Sequence, residues 1–212
     1  MLVSEIFRSI QGESTHMGLS CVFIRLAGCN LRCGWCDTEY AQSKAKAKKF
    51  TIDQIVKEVK KYKCSLLEIT GGEPLMQDEA RPLATRLLDA GFKVLLETNG
   101  TVCLSKLDPR LIKIVDVKCP SSGHGGSFLM DNLRHITDDD EVKFVIADRK
   151  DFDYAKRFID ECLKDITLKV LFAPVAPELN PKELAEWILK DCLQVRLQIQ
   201  MHKYVWPDEP GR

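Results

Sequence analysis

Residues 28–40 read GCNLRCGWCDTEY and place Cys29, Cys33 and Cys36 on one short loop. Thiolates select soft and borderline metals. A structural zinc site closes with four ligands, and a simple electron-transfer iron–sulfur cluster also takes four thiolates. The next cysteine is Cys64, so no fourth thiol follows at short range. Zinc would have to recruit His16 or Cys64, and neither stands at a usual ligand spacing. Three thiolates can instead hold three irons of a four-iron cluster. The fourth iron is then open to a ligand from outside the chain.

Other reactive residue types lie nearby. Asp37 and Thr38 directly follow the last cysteine, and such hard oxygen donors suit Mg²⁺. Arg25 sits inside the apolar run CVFIRL. Its guanidinium could pair with a protein carboxylate or grip an anionic substrate through a bidentate fork. In Thr70-Gly71-Gly72-Glu73-Pro74 the glycines allow close backbone approach to a ligand, and the carboxylate could offset a nearby cation. Ile10-Gln11-Gly12-Glu13 reads as the end of an edge strand and a turn. His202 is either a substrate contact or a rim histidine.

These residues must be positioned by the elements between them. Short apolar runs rich in β-branched residues at 21–26, 65–69, 92–98, 111–117, 142–147, 166–172 and 195–200 predict buried strands, with a further strand at 2–8. Amphipathic periodicity predicts helices from Thr51 and over 78–90, 151–164 and 181–191. Thr51 and Gln54 form a capping box, and Gly91 stops the second helix. About six βα steps with short connections imply a mostly parallel sheet. Eight would make a full barrel of about 250 residues, so the chain is either an incomplete barrel or an open doubly wound sheet. In both, function collects at the carboxyl ends of the strands, where the polar and glycine-rich segments fall. The basic run KAKAKK (44–49) reads as a solvated loop, with a lid or a redox-partner contact as the sharper alternative.

Composition excludes other classes. The chain has 212 residues and balances 31 basic against 31 acidic ones. A general nucleic-acid binder would carry a basic surplus. No apolar run approaches the roughly 20 residues needed to span a bilayer. The N-terminus lacks the pattern of a secretory signal, so a cytoplasmic protein is expected. Its nine cysteines are therefore expected to be reduced, and most of those outside the loop to be small buried hydrophobes.

Taken together, the segments F-x-S-x-Q-G-E, F-I-R-L-x-G-C-N-L-x-C-x-W-C-D-T, T-G-G-E-P, E-T-N-G, D-V-K-C-P-S-S-G and Q-x-H-K-Y resemble the 7-carboxy-7-deazaguanine synthase family of radical S-adenosylmethionine (SAM) enzymes, over nearly the whole chain. The resemblance implies a single radical SAM domain over 1–212, an α/β incomplete TIM-like barrel with an extra N-terminal strand. It implies a [4Fe-4S] cluster on Cys29, Cys33 and Cys36 whose open iron is chelated by SAM. It implies a ring contraction of 6-carboxy-5,6,7,8-tetrahydropterin to 7-carboxy-7-deazaguanine with loss of ammonia, begun by hydrogen abstraction at C6 with SAM regenerated. Mg²⁺ would sit on Thr38 with Asp37 in support.

Carried over by resemblance, the pterin would meet Ile10, Gln11, Gly12, Glu13, Arg25, Thr70, His202 and the C-terminal Arg212. SAM would meet Trp35, Cys36, Asp37, Gly72, Glu73, Asp116, Val117, Lys118, Phe172, Ala173, Pro174 and Val175. A flavodoxin- or ferredoxin-like electron donor and a homodimer are also implied, and no nucleic-acid or membrane partner. Two departures stand out. Ser14 occupies a position where many relatives have glycine, and Asp116-Val117-Lys118 stands where many have Ser-Pro-Lys. The rival readings are a glycyl-radical activase acting on a protein and a metal-bearing binding module without catalysis.

Overall fold

The computed structural model describes residues 1–164 and 167–206. Among the described residues nine strands form one sheet: β1 (Leu2–Ile10), β2 (Ser20–Leu26), β3 (Lys48–Lys49), β4 (Leu66–Gly71), β5 (Lys93–Thr98), β6 (Ile112–Asp116), β7 (Glu141–Ile146), β8 (Lys169–Pro174) and β9 (Arg196–Leu197). Their order is β3-β1-β2-β4-β5-β6-β7-β8-β9. From β2 through β9 neighbours pair parallel, while β1 runs antiparallel to β2 and β3. The order never reverses after β2, so there is no doubly wound switch point, and β3 and β9 are left as open edges. The sheet is an incomplete barrel.

Among the described residues six α-helices accompany it: α1 (Glu39–Gln42), α2 (Ile52–Lys60), α3 (Ala80–Asp89), α4 (Arg149–Phe158), α5 (Pro181–Lys190) and α6 (Met201–Val205). The capping box predicted for α2 is present: Thr51 Oγ1 accepts from Gln54 N at 3.2 Å and Gln54 Oε1 from Thr51 N at 2.8 Å. Such a cap contributes about 1 kcal/mol. Its Ile55, Val56 and Val59 are buried against the sheet. Four of the six parallel crossovers contain an α-helix. The steps β5–β6 and β6–β7 use loops and 3₁₀ turns at Pro120–Ser122 and Met130–His135. Asn99-Gly100, Pro109, Pro120 and Gly123 punctuate these segments and break helical continuity.

Some predicted bounds move. The strand expected at 195–200 shrinks to Arg196–Leu197, and that at 166–172 becomes Lys169–Pro174. The helix expected to 164 turns to a π-helical turn at Ile159–Leu163. Within the basic run expected to be a loop, Lys48 and Lys49 pair with β1. Among the six cysteines outside the loop, Cys21 and Cys119 are buried, Cys64, Cys103 and Cys162 are half-buried and Cys192 is exposed, so most are not the fully buried hydrophobes expected.

Side chains alternate across the sheet. On β2, Val22, Ile24 and Leu26 enter the main core under the helices. On the opposite, concave face, Cys21, Leu66, Leu95 and Ile114 form a small apolar cluster. Two residues further along β4, β5 and β6, the same face presents Glu68, Glu97 and Asp116. The face thus changes from apolar to ionic toward the carboxyl ends of its strands.

Candidate active site

A cavity of about 240 Å³ opens over that ionic layer and is roofed by the cysteine loop. Loops from the next three strands hold the roof. Glu73 N donates to Gly28 O (2.8 Å), Asn99 Nδ2 to Asn30 Oδ1 (3.1 Å), Arg32 N to His124 Nε2 (2.8 Å) and Gly34 N to Ser122 O (3.3 Å). Gly72 is required by this packing: a Cβ there would stand 2.3 Å from Gly28 O and 2.7 Å from Cys29 Cβ. His124 therefore supports the cysteine loop.

Cys29, Cys33 and Cys36 are half-buried, form no disulfide and line the cavity. Among the described residues, no three His, Cys, Asp or Glu side chains converge on a single ion. A tetrahedral zinc site needs such convergence. A cubane cluster does not, because each thiolate ligates its own iron and the sulfurs stay well apart. The residues zinc would have recruited are remote. His16 lies beside Glu141 at the start of β7, and Cys64 donates to Ser20 O at the start of β2, whereas the loop follows the end of β2. The donor set fits a cluster and not zinc.

Beside the roof, Lys118 Nζ meets Asp116 Oδ2 at 2.8 Å and lies 5.1 Å from the Trp35 ring centroid. Asp116 Oδ1 is buried without a hydrogen-bond partner. An orphaned acceptor at the cavity wall, next to an aromatic ring and an approachable Gly72 backbone, fits a nucleoside-bearing ligand such as SAM. Ala173, Pro174 and Val175 also line the cavity. Three expected contacts are corrected. Val117 and Phe172 are fully buried on the core face of the sheet, because strand alternation points them away from the cavity. Glu73 is 1% exposed, and its oxygens already accept from Leu75 N (3.0 Å), Thr98 Oγ1 (2.9 Å) and Asn99 N (2.7 Å). Its carboxylate fixes the two turns and is not free to meet a ligand.

The strand charges form the floor of the cavity, and residues 11–16 lie across it, bonded to Glu68, Lys143 and Glu141 in turn. Met201 N donates to Gly12 O at 3.0 Å, and a Cβ on Gly12 would strike His202 Nδ1 at 2.2 Å. Ser14 has φ 62° and donates its N–H to Gln198 Oε1 at 2.7 Å. That left-handed conformation favours glycine, so Ser14 holds it against its own preference.

Lys143 Nζ stands 3.0 Å from Glu13 Oε2, 3.9 Å from Asp116 Oδ2 and in a short contact with Glu97. Gln198 and Gln200 donate to the other lone pairs of Glu13 at 3.1 and 2.7 Å. Thr70 Oγ1 donates to Glu97 at 3.1 Å, and Gln11 Nε2 makes a short bond to Glu68. Burial opposes charge on Lys143, yet Glu13, Glu97 and Asp116 outweigh it and hold its pKa well above the ordinary lysine value. Burial likewise opposes charge on Glu97, but Lys143 prevails and keeps it low. Burial, with Glu97 and Glu13 close by, pushes Glu68 well above the carboxylate range. The two carboxyl groups are thus pushed in opposite directions, Glu97 toward the ionised form and Glu68 toward the neutral one.

Arg25 pairs with a protein carboxylate, one of the two roles expected of it, and also lines the cavity. Its Nε donates to Glu5 Oε1 at 2.7 Å, and its guanidinium packs 5.8 and 5.9 Å from the Phe7 and Tyr40 rings. Among the described residues its Nη atoms make no hydrogen bond, and Arg25 lines the cavity. The fork is held from behind and free in front. Asp37 and Thr38 lie on the same rim, but the Asp37 carboxylate takes Gln200 Nε2 at 3.1 Å and Lys203 Nζ at 3.4 Å. Arg212 falls outside the described residues. The sequence reading missed Glu68, Glu97 and Lys143. The available signal was the one that found Arg25, a charge inside an apolar strand.

The radical SAM superfamily profile matches residues 23–190. The chain is 44% identical to the 7-carboxy-7-deazaguanine synthase of Koribacter versatilis, over 99% of this chain and 98% of that one. It is 42% identical to the enzyme of the same name from Chlorobaculum tepidum, over 99% and 96%. Among solved structures, QueE from Escherichia coli superposes with a TM-score of 0.79 at 24% identity, covering 95% of this chain and 94% of that one. Streptococcus suis SuiB bound to its precursor peptide gives 0.61 at 10% identity and covers 84% of this chain and 47% of SuiB. The chain belongs to the 7-carboxy-7-deazaguanine synthase family of radical SAM enzymes.

Proposed function

We propose that the chain converts 6-carboxy-5,6,7,8-tetrahydropterin to 7-carboxy-7-deazaguanine with loss of ammonia, a step of queuosine and 7-deazapurine biosynthesis. The observation that carries this reading is the single cavity that joins the cysteine loop to the free face of Arg25 and to the Glu13–Lys143–Glu97 network. A substrate with one carboxylate and a heterocycle edged by donors and acceptors suits those walls. A protein substrate would gain nothing from a small-anion fork over a buried ionic floor.

When bound, the [4Fe-4S] cluster and SAM supply hydrogen-atom abstraction. Cys29, Cys33 and Cys36 would hold the cluster, and Gly72, Trp35, Asp116 and Lys118 would hold SAM. Arg25 would orient the substrate carboxylate through two parallel hydrogen bonds. Gln11, Glu13 and Thr70 would fix the ring, with His202 bracing Gly12. Glu97, which Lys143 holds ionised, would accept a hydrogen bond from the ring. The Thr38 hydroxyl would take part in a Mg²⁺ site that organises the carboxylate, with Asp37 released from Lys203 to support it.

The whole chain would act as one domain, since Gln11–Ser14 and Gln200, His202 and Lys203, outside the superfamily match, complete the walls. We place the enzyme in the cytoplasm as a homodimer that takes its electron from a flavodoxin- or ferredoxin-like donor. Among the described residues no helix is long and apolar enough to cross a membrane. The test is anaerobic incubation of the reconstituted protein with the pterin, SAM, Mg²⁺ and a chemical reductant. The deazaguanine chromophore should appear; its absence with an intact cluster and SAM cleavage would refute the substrate.

A further inference from the structure

Glu141 is a buried carboxylate that the proposed reaction does not use. It is fully buried at the first position of β7, outside the cavity lining. Burying a carboxylate without a strong cationic partner is costly. Among the described residues its only ion-pair contact is His16 Nδ1 at 3.7 Å. Burial, with Lys93 and Lys169 near, lowers the His16 pKa and so favours a neutral ring. The hydrogen bonds Glu141 does receive come from Thr15. The backbone N–H reaches its two oxygens at 3.1 and 3.2 Å, and the hydroxyl makes a short bond. His16 Nδ1 beside it is buried and unpartnered, which leaves one more polar atom aimed at the same carboxylate.

Geometry gives this contact a consequence. Glu141 and Lys143 lie two residues apart on the same face of β7. Lys143 grips Glu13, and Glu141 grips Thr15, two residues later in the same segment. Between them Ser14 holds a left-handed backbone that a loose turn would not select. We propose that Glu141 is a positioning residue, which latches Thr15 and thereby sets Gln11, Gly12 and Glu13 against the substrate. The latch rests on the substrate reading above only for what it presents, not for its own existence.

Two readouts test it in Glu141→Gln, which keeps the shape but loses one acceptor and the charge. First, backbone amide exchange of residues 11–16 should accelerate about tenfold, as one buried charge-assisted bond weakens. Second, KM for the pterin should rise about tenfold while kcat falls less, and SAM cleavage without pterin should stay at the wild-type rate. Should that variant fail to fold, Thr15→Val removes the hydroxyl alone and should give the same pattern at about threefold. Unchanged exchange together with unchanged KM would overturn the proposal, even if the melting temperature fell. If wild type makes no deazaguanine, the substrate reading fails by itself, and the exchange comparison still decides the latch.

Discussion

The roof and the floor of the cavity are built by opposite means. The roof is a contiguous loop whose cysteines, tryptophan and glycine neighbours stand close in sequence, braced mostly by backbone hydrogen bonds. The floor is assembled from charges on separate strands. Glu68 comes from β4, Glu97 from β5, Asp116 from β6 and Lys143 from β7, and only parallel register brings them together. Local chemistry makes the roof, and long-range packing makes the floor. A change in the roof should therefore remove chemistry with little effect on folding, whereas a change in the floor should affect both.

The largest expected effect is in the roof. Cys33→Ala removes one of three cluster ligands, so SAM cleavage and product should fall to background in the reconstituted protein. Stability of the metal-free chain should change by less than about 1 kcal/mol, because Cys33 is half-buried and unbonded. A large loss of metal-free stability would erase the contrast with the floor. Lys143→Met should be the reverse case. It leaves Glu13 and Glu97 facing each other without their cation, which should cost about 3 kcal/mol by denaturant titration. A cost near zero would mean that the carboxylates simply take up protons.

The smallest effect sharpens the floor alone. The Glu68 pKa is raised on folding, so its contribution to stability is present below the unfolded value of about 4.3 and is lost as pH rises through the folded value. Glu68→Gln keeps an oxygen for Gln11 and has no proton to lose. It should match wild type at about pH 4 and gain on it steadily toward pH 8. A pH-independent difference would show that Glu68 is ionised in the fold.

This contrast also explains what the sequence made legible. The cysteine loop, the Gly71-Gly72 turn and the α2 cap depend on neighbours a few residues apart, and each was placed correctly from spacing. Arg25 was found because one charge interrupts an apolar strand. Glu68, Glu97 and Lys143 carry the same signal, but it does not say which charges will meet, and their pairing follows from strand order. Val117, Phe172 and Glu73 fail for a related reason. Their motif positions lie next to the cavity, while strand alternation and three internal donors turn their side chains elsewhere. The missing helices between β5 and β7 reflect glycine and proline punctuation that a count of βα steps overlooks.

The division between roof and floor is tested most directly by measuring 5′-deoxyadenosine and deazaguanine together in reconstituted Lys143→Met. The variant should still cleave SAM reductively, while deazaguanine falls by about a hundredfold or more, because Glu13 and Glu97 lose the cation that fixes them against the substrate. Loss of both products in proportion, with the cluster intact, would contradict that division, as would deazaguanine formation at the wild-type rate.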